Sequence, residues 1–125
     1  MADSSRYQDW YDKARRDLDG AQILLEHDGG NDLVAFHCHQ AIEKALKGWL
    51  LKATGSLVDG HSLVYLCRSA IKNGAELEPH LKDCAYVNQF YIETRYPADI
   101  PMELSGNEAR ECMDIANTVL ELFGV

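Results

Sequence analysis

Apolar residues recur every three or four positions along most of the chain, and this spacing places their side chains on one face of an α-helix. The first such segment predicts helix 1, from about Arg6 to Glu26. Ser5 and Gln8 stand at the spacing of a capping box at its start, and Gly29-Gly30 is expected to stop it. Its apolar positions are Trp10, Ala14, Leu18, Ala21, Leu24 and Leu25.

A second apolar stripe follows these glycines and predicts helix 2, which runs to about Ala53 and ends before Gly55. Asn31 or Asp32 can cap its first turn, because both side chains accept hydrogen bonds from free backbone amides. The stripe consists of Ala35, Cys38, Ile42, Ala45 and Trp49.

Two shorter helices are predicted next. Helix 3 is closed by Asn73-Gly74, and its apolar positions are Leu63, Leu66, Cys67 and Ala70. Helix 4 starts with Pro79 in the first helical position, keeps helical spacing up to Arg95, and is ended by Pro97.

Ser105 and Glu108 form a second capping box, and apolar residues at helical spacing then predict helix 5, up to Phe123. No segment alternates polar and apolar residues as a half-buried strand does. The pattern therefore predicts an all-α fold, an up-and-down bundle of about five helices. With 125 residues, 46% of them hydrophobic, the chain is expected to form a single helical domain over residues 1–125.

The formal net charge of −8 disfavours general binding to nucleic-acid phosphates, which draws its energy from many Lys and Arg contacts. Helix 2 is nevertheless locally positive, with Lys44, Lys47 and Lys52. No segment approaches the roughly 18 apolar residues of a membrane span, and the polar N-terminus lacks the apolar core of a signal peptide. A cytoplasmic location without membrane contact is therefore expected.

No metal or cofactor site is predicted. The cysteines lack metal-binding or redox spacing and are interpreted as small core residues in a reducing compartment: Cys38, Cys67, Cys84 and Cys112. His37 and His39 are two apart on a helix and point away from each other, so they cannot readily hold one ion. His39 and Glu43 are better spaced, but a third ligand is missing.

Gln40, Lys44 and Lys47 are candidate phosphate-binding residues. They stand at i, i+4 and i+7 of helix 2 and so project from one face of it. The alternative is a solvated helix face in which Glu43 and Lys47 form an ion pair worth a few tenths of a kcal/mol.

Aromatic and basic residues at the end of helix 4 also suit a nucleotide, because Arg binds phosphate in a bidentate manner and Tyr stacks on bases. The residues concerned are Tyr91, Arg95 and Tyr96. The alternative is that Arg95 complements the helix dipole and Pro97 simply ends the helix. His61 begins helix 3, where it either caps or packs beneath the helix or takes part in catalysis.

Four segments of the chain together resemble the HEPN domain (higher eukaryotes and prokaryotes nucleotide-binding), and they span nearly the whole sequence. The most specific is the Gln-Ala-x-Glu-Lys-x-x-Lys run that starts at Gln40. The others are Trp10 with Ala14, the stretch from His61 to Leu66, and Tyr91 with Arg95-Tyr96-Pro97. The resemblance implies a bundle of about five helices that dimerises. It further implies one of three roles: a partner of a minimal nucleotidyltransferase in a toxin–antitoxin pair, a metal-independent ribonuclease, or a non-catalytic binder of RNA or nucleotide.

The ribonuclease members share an Arg followed four to six residues later by a His, and this chain departs from that pattern. His27 is the first His after Arg16, His80 is the first after Arg68, and none follows Arg95. The favoured interpretation is therefore a homodimeric binding module without catalytic residues. Its nucleotide-binding residues are predicted to be Gln40, Lys44, Lys47, His61, Tyr91, Arg95 and Tyr96.

Two alternatives remain. One is a metal-independent endoribonuclease with His61 or His39 as proton carrier. The other is an interaction protein, whose motif residues serve contacts with a nucleotidyltransferase partner.

Overall fold

The computed structural model describes residues 2–91, Pro97 and residues 103–125, and within these it contains five α-helices and no β-strand. A short 3₁₀ turn, Glu78–His80, precedes the fourth helix. The helices are α1 (Tyr7–Glu26), α2 (Asn31–Thr54), α3 (Leu63–Lys72), α4 (Leu81–Asn88) and α5 (Gly106–Leu122). The predicted all-α bundle is thereby confirmed.

Local capping explains two of the helix starts. Ser105 and Glu108 form the predicted capping box of α5, each side chain bonded to the other residue's backbone amide. The Ser62 side chain accepts a hydrogen bond from the Tyr65 amide and so begins α3. His61 therefore does not cap this helix. Its side chain is available to contact another part of the bundle.

The predicted cap of helix 1 was wrong. Arg6 is the N-cap of α1 and makes no capping bond, while the Ser4 hydroxyl, one residue before Ser5, donates to the Asp9 carboxylate at 2.6 Å. The predicted cap of helix 2 was also wrong. Gly30 precedes α2 with a φ of 116°, and the Asn31 side chain donates instead to the backbone oxygen of Leu104.

The predicted helix from Pro79 to Arg95 is not continuous. The proline lies in the 3₁₀ turn, α4 ends at Asn88, and Gln89 forms a turn before Phe90 and Tyr91, which are again helical. Asn88 at the end of α4 accepts a hydrogen bond from the Leu63 amide at 2.9 Å, a contact between distant parts of the chain. Residues 92–96, including Arg95 and Tyr96, lie outside the described residues.

The core lies around α2, which packs mainly against α1 and α5. This helix is buried nearly all round, and even three of its polar side chains are buried. All four cysteines are buried and free, as predicted for core residues. Gly48 lets α1 approach closely, because a Cβ atom there would lie 2.8 Å from the Tyr11 ring. Within the part of the chain that the structure describes, no helix is long and apolar enough to cross a membrane.

Candidate functional site

A buried carboxylate, Glu43, is the centre of a polar cluster inside the bundle. It is only 4% exposed, and its oxygens lie 3.2 Å from Lys47 Nζ, 3.1 Å from His61 Nδ1 and 3.8 Å from His39 Nδ1. His39 and Lys47 stand four residues before and after Glu43 on the same face of α2. His61 reaches the cluster from the segment before α3. These four residues are called the Glu43 cluster below.

Lys47 neutralises Glu43 within the fold rather than extending into solvent. It is 7% exposed, and its ammonium also lies 5.9 Å from the centre of the Trp10 ring. The Glu43–Lys47 pair considered as an alternative is therefore present, but it is buried and not on a solvated face. A phosphate role for Lys47 stays a prediction, and in this geometry its charge is already engaged.

His39 is fully buried, and within the described residues neither ring nitrogen has a hydrogen bond of good geometry. Burial lowers the pKa of His39 to about 4, although the Glu43 carboxylate, the Asn88 side chain and the His61 backbone act in the opposite direction. The imidazole is therefore neutral near pH 7. Without access to solvent, it is poorly placed to carry protons for an external substrate.

A row of four aromatic rings adjoins the cluster. The His61 and Tyr91 rings are stacked with centroids 5.5 Å apart, Tyr91 and Phe36 are stacked at 6.4 Å, and Phe36 meets His37 edge to face at 5.4 Å. The buried His39 ring also stacks on Tyr91, at 4.4 Å. The side chain of His61 is 60% exposed and that of His37 is 35% exposed. His37, Phe36, Tyr91 and His61 are called the aromatic row below.

A second carboxylate, Asp17 of α1, holds the other end of this row. It pairs with His37 Nδ1 at 3.3 Å and with the ammonium of Lys44. Both histidines at the ends of the aromatic row are thus oriented through Nδ1 by a carboxylate. In the described part of the chain, Nε2 of neither ring makes a hydrogen bond.

The predicted nucleotide-binding residues are therefore divided by the fold. The Lys47 ammonium contacts the Glu43 carboxylate, and the Tyr91 ring stacks on His61. Lys44 instead faces α1, and Gln40 is half-buried. Arg95 and Tyr96 lie outside the described residues.

Sequence reasoning did not predict that Glu43 is the centre of the polar cluster. It also did not predict that Asp17 and His37 belong to the site. The i,i+4 spacing of Glu43 with His39 and Lys47 was a usable signal for Glu43. No local signal marks Asp17, because its partners lie 20 and 27 residues away. Among the residues that the structure describes, no group of three or more His, Cys, Asp or Glu side chains is arranged to hold a metal ion.

These features define an all-α bundle in which a buried carboxylate adjoins a partly exposed row of aromatic rings. The family model of the HEPN domain matches residues 7–124. The chain belongs to the HEPN family.

Two solved structures are similar to it over nearly their whole length. TT1696 from Thermus thermophilus is 31% identical, with a TM-score of 0.84, and the match covers 97% of this chain and 98% of that one. ST0689, an archaeal HEPN homologue, is 26% identical, with a TM-score of 0.74, and the match covers 95% of each chain. Among curated proteins, none matches the chain.

Proposed function

We propose that this protein binds a nucleotide, free or as part of a single-stranded RNA, on the aromatic row. The observation that carries the proposal is the His61 imidazole, which is 60% exposed, stacked on Tyr91 and fixed by the buried Glu43 carboxylate. A ring that is already oriented loses little conformational entropy when a base stacks on it. Stacked rings bind unpaired bases and tolerate differences in sequence.

The charge distribution favours stacking over phosphate contacts as the source of affinity. The chain carries a net charge of −8, and Lys44 and Lys47 are each paired with a carboxylate. Few counterions would be released from a nucleic acid bound on the aromatic row, so the affinity of this site should depend only weakly on salt. Single nucleotides and unpaired RNA therefore fit this surface better than a duplex does.

Calorimetric titration with ATP, GTP and a short single-stranded RNA tests the proposal. His61→Ala removes an exposed ring and should weaken binding by about 1–3 kcal/mol, the worth of one stacked base. Tyr65→Ala is the matched control, because Tyr65 is an exposed aromatic residue of α3 outside the aromatic row. Equal affinities for wild type and His61→Ala, with both proteins folded by circular dichroism, would exclude the aromatic row as the binding surface.

A second candidate function, metal-independent RNA cleavage, is favoured by the contact between Glu43 and His61. A carboxylate at Nδ1 orients an imidazole so that Nε2 can exchange protons with a substrate. An RNA-cleavage gel run with EDTA, beside the titration, separates the two functions. Cleavage that persists with EDTA and disappears in His61→Ala would support the enzyme, whereas binding without cleavage supports the binding module.

A homodimer and a nucleotidyltransferase partner are further proposals, and the family resemblance supports both. Phe90, which follows α4, is 1% exposed within the single chain, so its ring belongs to the core and does not supply a dimer surface. Light scattering of the purified protein tests the dimer. Co-purification with a nucleotidyltransferase encoded next to it tests whether the two proteins form a complex. Co-purification without any nucleotide binding would favour the pure interaction protein.

A further inference from the structure

A cavity of about 540 Å³ lies where the N-terminal segment meets α1 and α2, apart from the aromatic row. Its volume is in the range of small-molecule sites, roughly 300–1,000 Å³. The residues that line it are Asp3, Ser4, Asp9, Trp10, Asp12, Lys13, Arg16 and Lys44. Of these, only Lys44 was among the predicted nucleotide-binding residues.

In the part of the chain that the structure describes, two cations of this cavity lack a carboxylate partner. Lys13 and Arg16 are exposed residues one turn apart on α1, and within the described residues no carboxylate oxygen lies within 4 Å of either charged group. Lys44 is instead paired with Asp17. Lys13 and Arg16 are therefore the cations that an anionic ligand in the cavity can bind at the lowest cost.

The fold also fixes an aromatic ring in the wall of the cavity. Trp10 Nε1 donates a hydrogen bond to the backbone oxygen of Ser4 at 3.0 Å, and the Ser4 hydroxyl donates to Asp9 at 2.6 Å. These bonds tie the N-terminal segment to the first turn of α1. The indole is thus held in place before any ligand arrives, which lowers the entropy lost on binding.

We propose that this cavity is a binding site for a nucleoside phosphate, in which Lys13 and Arg16 bind the phosphate group and the Trp10 indole contacts the base. The inference rests on the proposed function for the kind of ligand and adds a site to it. Asp17 joins the two sites, because its carboxylate contacts His37 of the aromatic row and Lys44 of the cavity.

The carboxylates of the cavity set its selectivity. The Asp9 carboxylate accepts a hydrogen bond from Ser4 and lies near Arg6. Asp3 and Asp12 are exposed acceptors that form no ion pair within the described residues. They can accept hydrogen bonds from the ribose hydroxyls or the amino group of a base, which inorganic phosphate lacks. The site should therefore prefer AMP to inorganic phosphate.

Tryptophan fluorescence can report on this cavity separately from the aromatic row. The chain has two tryptophans, and Trp49 stacks on Phe123 away from the cavity, so Trp49→Phe leaves Trp10 as the only source of the signal. Titration of this variant with AMP should give a saturable change in emission. Inorganic phosphate should bind at least about tenfold more weakly than AMP, as expected if contacts with the base and ribose add 1.4 kcal/mol or more, and equal affinity for the two would overturn the assignment of the base to Trp10.

Arg16→Ala should weaken AMP binding about tenfold or more, as expected for the loss of hydrogen bonds to a charged group. Arg15→Ala is the matched control, because this neighbouring arginine is paired with Asp19 and does not line the cavity. Both variants can also be measured by calorimetry with Trp49 in place, which keeps the test valid if Trp49→Phe folds poorly. Equal losses in the two variants would overturn the site.

The two proposed sites predict different experimental results. An AMP-dependent change in Trp10 emission that survives His61→Ala but not Arg16→Ala supports the cavity. AMP binding that needs His61 and leaves Trp10 emission unchanged overturns the cavity while the proposed function stands. Nucleotide binding that needs Arg16 but not His61 keeps the cavity and refutes the aromatic row.

Discussion

Replacing Glu43 with alanine is expected to destabilise the protein strongly, because the change leaves a buried cation without its partner. The Lys47 ammonium lies 3.2 Å from the carboxylate, and both side chains are less than 10% exposed. Removal of one member of a buried ion pair typically costs about 3–5 kcal/mol. Domains are stable by only about 5–15 kcal/mol, so Glu43→Ala should approach the limit of folding.

A second substitution shows whether the cost comes from the unpaired charge. Lys47→Met removes the ammonium and keeps an unbranched apolar side chain of similar length. If the buried lysine causes the loss, the double variant Glu43→Ala/Lys47→Met should be more stable than Glu43→Ala alone. The coupling between the two sites, obtained from a double-mutant cycle, should then exceed about 1 kcal/mol.

Urea unfolding followed by the helical circular-dichroism signal gives the free energies. The matched control is Asp19→Ala, which breaks the exposed pair between Arg15 and Asp19, at 3.1 Å. An exposed pair contributes about 0–1 kcal/mol, so this control should stay close to wild type. A Glu43→Ala variant no less stable than Asp19→Ala would refute the view that Glu43 compensates a buried charge.

Three further outcomes are expected. Burial lowers the pKa of His39 to about 4, so between pH 6.5 and 4 the unfolded chain binds a proton that the folded chain does not. The free energy of unfolding should therefore fall by roughly 3 kcal/mol as the pH drops through this window. Urea unfolding of His39→Leu at several pH values should show a free energy of unfolding that lacks this decrease. If the pH dependence of the free energy is the same as in wild type, the imidazole of His39 is not both buried and neutral. Gly48→Ala should lower stability by about 1–3 kcal/mol, because the new methyl group meets the Tyr11 ring, and a thermal midpoint equal to wild type would contradict the close approach of α1 and α2. Ser105→Ala should cost about 0.5–2 kcal/mol in urea unfolding, whereas Ser5→Ala should be neutral since it caps nothing; the reverse order would contradict the capping observed in the structure.

The helices could be predicted from the sequence because their signals are local. Apolar spacing of three and four residues depends only on helix geometry, and the capping box of Ser105 and Glu108 lies within one turn. The pattern therefore indicated the class and the helix order, and the resemblance indicated the HEPN family. The same local reasoning failed at Ser5, because α1 begins one residue later than a cap at Ser5 requires, with Arg6 in the N-cap position.

The candidate sites depended on contacts that no local pattern contains. His61 meets Glu43 across 18 residues, and Lys44 meets Asp17 across 27, so only the packing of α1 and α3 on α2 decides these pairs. Helical spacing predicted that Lys44 and Lys47 share one face of helix 2, but it could not show that each ammonium has a carboxylate beside it. Burial and charge pairing are properties of the assembled bundle. For that reason the sequence determined the all-α class and the family, and the tertiary structure decided which side chains remain available to a ligand.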